Sequence, residues 1–164
     1  MKLLTEALEI MRDAGEITWD RLSDLHYELG SVHARLRDFE AAEQDLREAL
    51  ERREKEHGKN HPLVATTLWQ LGEVELELGR LPAAKGHLRR AQRITCALQG
   101  PLHPETVAIT LELCDRLAQA GAPQEARSLL EHELDLAIEV AGPDDPVVAA
   151  YSERLDALGV GGDS

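Results

Sequence analysis

The feature that most constrains this chain is a repeat of fixed length. Gly-x-x-His-Pro stands at Gly58 to Pro62 and again at Gly100 to Pro104, and Gly-x-x-Asp-Pro follows at Gly142 to Pro146, so the corner returns every 42 residues. Other columns keep the same register. Ala42, Ala84 and Ala126 form one, Leu46, Leu88 and Leu130 a second, and Leu29, Leu71, Leu113 and Leu155 a third. Gly30 and Gly72 form a fourth, with Cys114 in the next slot. A period of roughly 20–50 residues marks a chain of stacked supersecondary units, each too small to bury its own apolar face alone.

Each period reads as two helices. Pro62, Pro104 and Pro146 suit a first helical turn, where the missing N–H leaves no bond unmade, and His61, His103 and Asp145 stand before them at the N-cap position. From Leu63 to Leu78 the apolar residues Val64, Leu68, Leu71, Val74 and Leu78 are spaced for one helix face, and Gly79 stops the helix. A second helix runs from about Leu81 to Leu98 and ends at Gly100. The same plan puts helices near 20–36 and 39–57, then near 105–120 and 123–140. Ala7 and Leu8 match Ala49 and Leu50 one period later, so the chain opens on half a unit. The expected layout is a half repeat over 1–15, repeats over 19–58, 61–100 and 103–142, a closing helix over 146–158 and a flexible tail over 159–164. The fold class is therefore all-α, about eight helices stacked as antiparallel pairs in a solenoid.

Composition narrows the function classes. Of 164 residues, 18 are Lys or Arg and 31 are Asp or Glu, a net charge of −13 that argues against general nucleic-acid binding and against adhesion to anionic membranes. Aromatic residues make up 3%, too few for base-stacking platforms. Cys96 and Cys114 make no C-x-x-C pair and no disulfide framework, and no apolar run approaches a membrane span, so a cytoplasmic protein with two reduced thiols is expected. No P-loop, Gly-x-Gly-x-x-Gly, Gly-x-Ser-x-Gly or zinc-protease motif is present, and the expectation is a protein that is not an enzyme and takes no cofactor. His57 and His61 are four apart, but Gly58 and Pro62 break the helix between them, so no metal site is expected. His26 and His33, seven apart, read as packing or surface residues on one helix face.

A helix pair with Leu-Gly in its first helix, Ala-Ala opening its second and Ala-Leu later resembles the tetratricopeptide repeat. The 42-residue period with Gly-x-x-His-Pro corners resembles the longer repeats of kinesin light chain, most closely over Leu46 to Gly79. The third unit departs from the pattern, with Cys114 for glycine and Glu133 for the alanine seen at Ala49 and Ala91. The resemblance implies a right-handed superhelix whose concave groove, lined by the first helix of each unit, binds another protein.

The family's geometry implies which columns face that groove. They are Asp24, Thr66 and Ala108; Glu28, Gln70 and Glu112; Ser31, Glu73 and Asp115; and Arg35, Glu77 and Gln119, with Tyr27, Trp69 and Leu111 beside them as apolar anchors. The first two columns hold no Lys, Arg or Asn, so a clamp for a C-terminal carboxylate is not expected. Six acids against one arginine make the groove negative and favour a segment carrying Lys or Arg, with an apolar side chain against Tyr27 or Trp69. The alternative is an ordinary solvated face in an acidic chain, with Trp69 tucked between helices. A second stretch, Arg80, Lys85, Arg89, Arg90 and Arg93, reads as a solvated face or as a surface for an acidic partner. Leu3, Leu4, Leu8 and Met11 on the opening half unit have no preceding helix to cover them. They carry the competing reading: self-assembly, as a homodimer through the N-terminal helix, or a regulatory fragment of a larger signalling protein.

Overall fold

The computed structural model describes residues 19–160 of the chain. Every element in them is a helix: α1 Trp19–Arg35, α2 Phe39–His57, α3 Pro62–Glu77, α4 Leu81–Gln99, α5 Pro104–Gln119, α6 Pro123–Ala141 and α7 Pro146–Val160. The expected half repeat over 1–15 lies outside the described residues. The closing helix continues through Gly159 to Val160, two residues beyond its expected end. Helix contacts divide the chain into two compact units, meeting between Arg80 and Leu81.

The helix ends follow from local chemistry. Asp38 accepts from the Ala41 N–H, His61 Nδ1 from the Leu63 N–H, His103 Nδ1 from the Glu105 N–H and Asp145 Oδ1 from the Val147 N–H, satisfying one orphan donor at each N-terminus. Each first helix closes on one recurring turn. The Asp38, Arg80 and Ala122 N–H groups donate to the carbonyls of His33, Glu75 and Leu117, five residues back, at 2.8–3.0 Å. This wrap requires a left-handed residue, and Arg37, Gly79 and Gly121 stand there with φ of 61°, 72° and 81°.

In the first unit α2 packs on both α1 and α3, and α1 touches α3. Ala42, Leu46, Leu71 and Val74 form its centre, with Tyr27, Ala34, Phe39, Leu50 and Leu78 packed around them. Burying one leucine such as Leu46 contributes about 1.5–3 kcal/mol. In the second unit α5 lies against α4, α6 and α7. The repeating columns are the core columns: Ala42, Ala84, Ala126, Leu46, Leu88 and Leu130 are all fully buried.

The third repeat's departures are accommodated inside the second unit. Glu133, buried where alanine stands elsewhere, accepts from Gln92 Nε2 at 3.2 Å, and Gln92 also donates to Thr110 Oγ1. Cys114 is fully buried with Sγ 3.6 Å from the Ala126 carbonyl oxygen. Burial first, then the nearby carboxylates of Asp115 and Glu133, pushes its thiol up to about 12, so it is a packing group and a poor nucleophile at neutral pH.

Candidate functional site

In the first unit the expected groove columns come together on α1 and α3. Positions 24, 27, 28 and 31, and 66, 69, 70, 73 and 77, each trace one helix face. Asp24, Glu28, Thr66 and Glu77 are exposed, while Tyr27, Ser31, Trp69, Gln70 and Glu73 are half-buried. Trp69 is thus neither sealed in the core nor fully open. Ser31 Oγ donates to the Tyr27 carbonyl at 2.9 Å and accepts from Gln70 Nε2 at 2.8 Å, tying two of the columns across the helix pair. Burial raises the Tyr27 hydroxyl pKa above its ordinary value, and the Glu28 and Glu73 carboxylates raise it further, against the opposing pull of Arg53. Both acids therefore bear on the same ring.

Arg53 is the residue that sequence reasoning missed. It lies on α2, outside the columns assigned to the groove, yet its guanidinium reaches that face. Nη2 donates to Asp24 Oδ1 at 2.8 Å, Nη1 to Thr67 Oγ1 at 2.8 Å and to the Leu63 carbonyl at 3.2 Å, and the guanidinium carbon lies 4.3 Å from the centre of the Tyr27 ring. It is 3% exposed, so these bonds stand in for its lost water. The signal was available. Ala42, Leu46, Ala49 and Arg53 are the spacing of one buried stripe, and the residues one and two repeats on are Thr95 and Ala137.

Arg53 changes the electrostatic picture, because it brings a cation to this face and pairs with Asp24, so the face is not uniformly acidic. Glu77 pairs with Arg37 at 3.6 Å. In the second unit Glu112 pairs with Arg116 at 3.5 Å and Asp115 with Arg154 at 3.0 Å. The negative potential bearing on Tyr27 comes from Glu28 and Glu73.

His26 and His33 serve packing: they direct Nδ1 at the two oxygens of the single Asp45 carboxylate, at 3.1 and 2.9 Å, clamping α1 to α2. His57 and His61 stack with ring centres 4.5 Å apart. Among the described residues no group of three or more His, Cys, Asp or Glu side chains could hold a metal ion. Leu3, Leu4, Leu8 and Met11, read as a self-association face, lie outside the described residues.

Residues 21–97 match the family model described as tetratricopeptide repeat. A crystal structure described as a kinesin light chain with nearly identical TPR-like repeats from Podosopora anserina superposes with a TM-score of 0.73 at 21% identity, covering 96% of this chain and 74% of that one. A second structure of that protein gives 0.71 over the same shares. BtubC (BKLC) from P. vanneervenii gives 0.68 at 18% identity, covering 94% of this chain and 64% of that one. Among curated proteins, a clustered mitochondria protein homolog of Candida albicans is 25% identical over 104 residues, 63% of this chain, and the chain spans 8% of that relative's length. Among the described residues no helix is long and apolar enough to cross a membrane. Repeats of this kind generally bind other proteins. Residues 21–97 thus match the tetratricopeptide-repeat model, and the described helix pairs share the fold of kinesin-light-chain TPR-like repeats.

Proposed function

We propose that the chain is a non-catalytic interaction module whose α1–α3 face binds an extended or helical segment of a partner protein carrying Lys or Arg. The observation behind this reading is the setting of Tyr27: a half-buried ring packed against the Arg53 guanidinium, at which the Glu28 and Glu73 carboxylates add negative potential. The same guanidinium pairs with Asp24. A basic side chain of the partner meets Glu28 and Glu73. An apolar neighbour lies against the exposed parts of Tyr27 and Trp69, large rigid side chains that bind at low cost in conformational entropy.

Calorimetric titration with a short Lys/Arg-rich peptide holding one leucine tests this. The Glu28→Lys plus Glu73→Lys variant should lose at least about tenfold in affinity, because like charges then face each other across the site. Unchanged affinity in that variant, or tighter binding of an Asp/Glu-rich peptide to this face, would overturn the reading.

A further inference from the structure

The second unit contains a cleft between α4 and α6 with a volume of about 530 Å³, lined by Arg89, Gln92 and Arg93 on one side and Ser128, His132 and Glu133 on the other. That volume lies within the range of binding pockets. Its α4 wall is unusual for this chain. From Gly79 to Pro104 there is no Asp or Glu, although the protein holds 31 of them, and Lys85, Arg89, Arg90 and Arg93 fall within that stretch.

The repeat supplies an internal comparison for Arg89. One period earlier stands Arg47, which donates to Glu43 and to the fully buried Glu75, both at 2.9 Å. One period after those two acids stand Lys85 and Leu117. The arginine has been kept and both carboxylates that satisfied it have gone. What remains for Arg89 is a 3.8 Å approach to Glu125, an acid already held by Lys85. Arg93 sits one turn further on, where the first repeat has Glu51, and it has no ion-pair partner among the described residues. Across the cleft Glu133 is buried and its carboxylate accepts from Gln92, while Ser128 and His132 are exposed. Gly86 lines the same cleft, and a Cβ there would meet nothing within 4 Å, so the space beside Arg89 is open.

We propose that this cleft is a second docking site, for an acidic segment of another polypeptide, with Asp or Glu carboxylates of the partner replacing the two acids that the second repeat lacks. Guanidinium groups bind carboxylates with paired, charge-assisted hydrogen bonds. Two arginines against the one buried Glu133 leave the cleft positive. The nearby Glu133 opposes a doubly charged phosphate more strongly than a single carboxylate, so a carboxylate is the better match. The site is opposite in sign to the α1–α3 face and independent of it.

Fluorescence anisotropy of a labelled hexaglutamate peptide on the full chain tests this. Binding at low ionic strength, about 50 mM, is expected to weaken by at least about tenfold in Arg89→Gln plus Arg93→Gln, and to weaken as salt is raised. Lys55→Gln, a surface change in the first unit, is expected to leave it intact; hexaglutamate binding that persists while a Lys/Arg-rich peptide fails to bind separates failure of the α1–α3 reading from failure here. Circular dichroism checks that the arginine variant is folded, as expected for exposed side chains. Absence of hexaglutamate binding, equal binding by the folded arginine variant, or displacement of the peptide by millimolar-scale inorganic phosphate would overturn the proposal.

Discussion

A Cβ on Gly30 would stand 2.7 Å from Leu46 Cγ and 3.3 Å from the Ala42 carbonyl oxygen, and both neighbours are fully buried. A Cβ on Gly86, inside α4, would meet nothing. The two glycines therefore predict opposite signs. Gly30→Ala should destabilise by roughly 1–3 kcal/mol through overpacking. Gly86→Ala should stabilise by up to about 1 kcal/mol through helix propensity alone. Urea midpoints of the two variants check both. The Gly30 role was legible in the sequence, because small residues recur in its column where two helices approach. The role of Arg53 was passed over, because a cation on an apolar stripe becomes informative only when the partners it reaches, Asp24, Thr67 and Tyr27, are seen on neighbouring helices.

At the scale of the elements, the corners were the most readable part of the chain. Proline and a capping side chain at each start, and a left-handed residue at each turn, act through nearest neighbours and need no tertiary information. Arg37 is the exception, an arginine at φ 61° where the later repeats have glycine. Arg37→Gly should raise stability by about 0.5–1 kcal/mol, the left-handed cost being partly offset by lost contacts with Phe39 and Glu77. Arg37→Val, β-branched in the same turn, should lower it. Differential scanning calorimetry distinguishes the two.

A second prediction at this scale concerns Glu43, which joins α2 to the end of α3. Burial pushes its carboxyl up, but hydrogen bonds from Arg80 and Arg47 outweigh that and hold it below its ordinary value. Its stabilising contribution is therefore complete above the unfolded carboxylate range, near pH ~4.3, and is lost as pH falls through the lower folded value. Stability should drop more between neutral and acidic pH for the wild type than for Glu43→Gln, as measured by urea unfolding at a series of pH values. An equal drop would show that the network contributes nothing.

At the scale of the whole molecule, a constant register of 42 residues put the same core columns into successive helix pairs, which is why fold class could be read without any structure. Recognition could be read less far, since it depends on which charges survive pairing. Of the acids assigned to the groove, Asp24, Glu77, Glu112 and Asp115 each have an arginine partner. Arg154 falls one period after Glu112 in an assigned column, and Arg37, Arg53 and Arg116 stand where other repeats carry uncharged residues, so the register gives their positions but not their pairing. The most direct test of the account uses the position of Trp69 on the α1–α3 face. The chain has two tryptophans, and Trp19→Phe leaves Trp69 as the sole reporter. Titration with a Lys/Arg-rich peptide should change Trp69 emission saturably, with affinity falling as salt is raised from about 50 to 300 mM. An emission spectrum indifferent to that peptide, or responding equally to an Asp/Glu-rich peptide, would contradict the account.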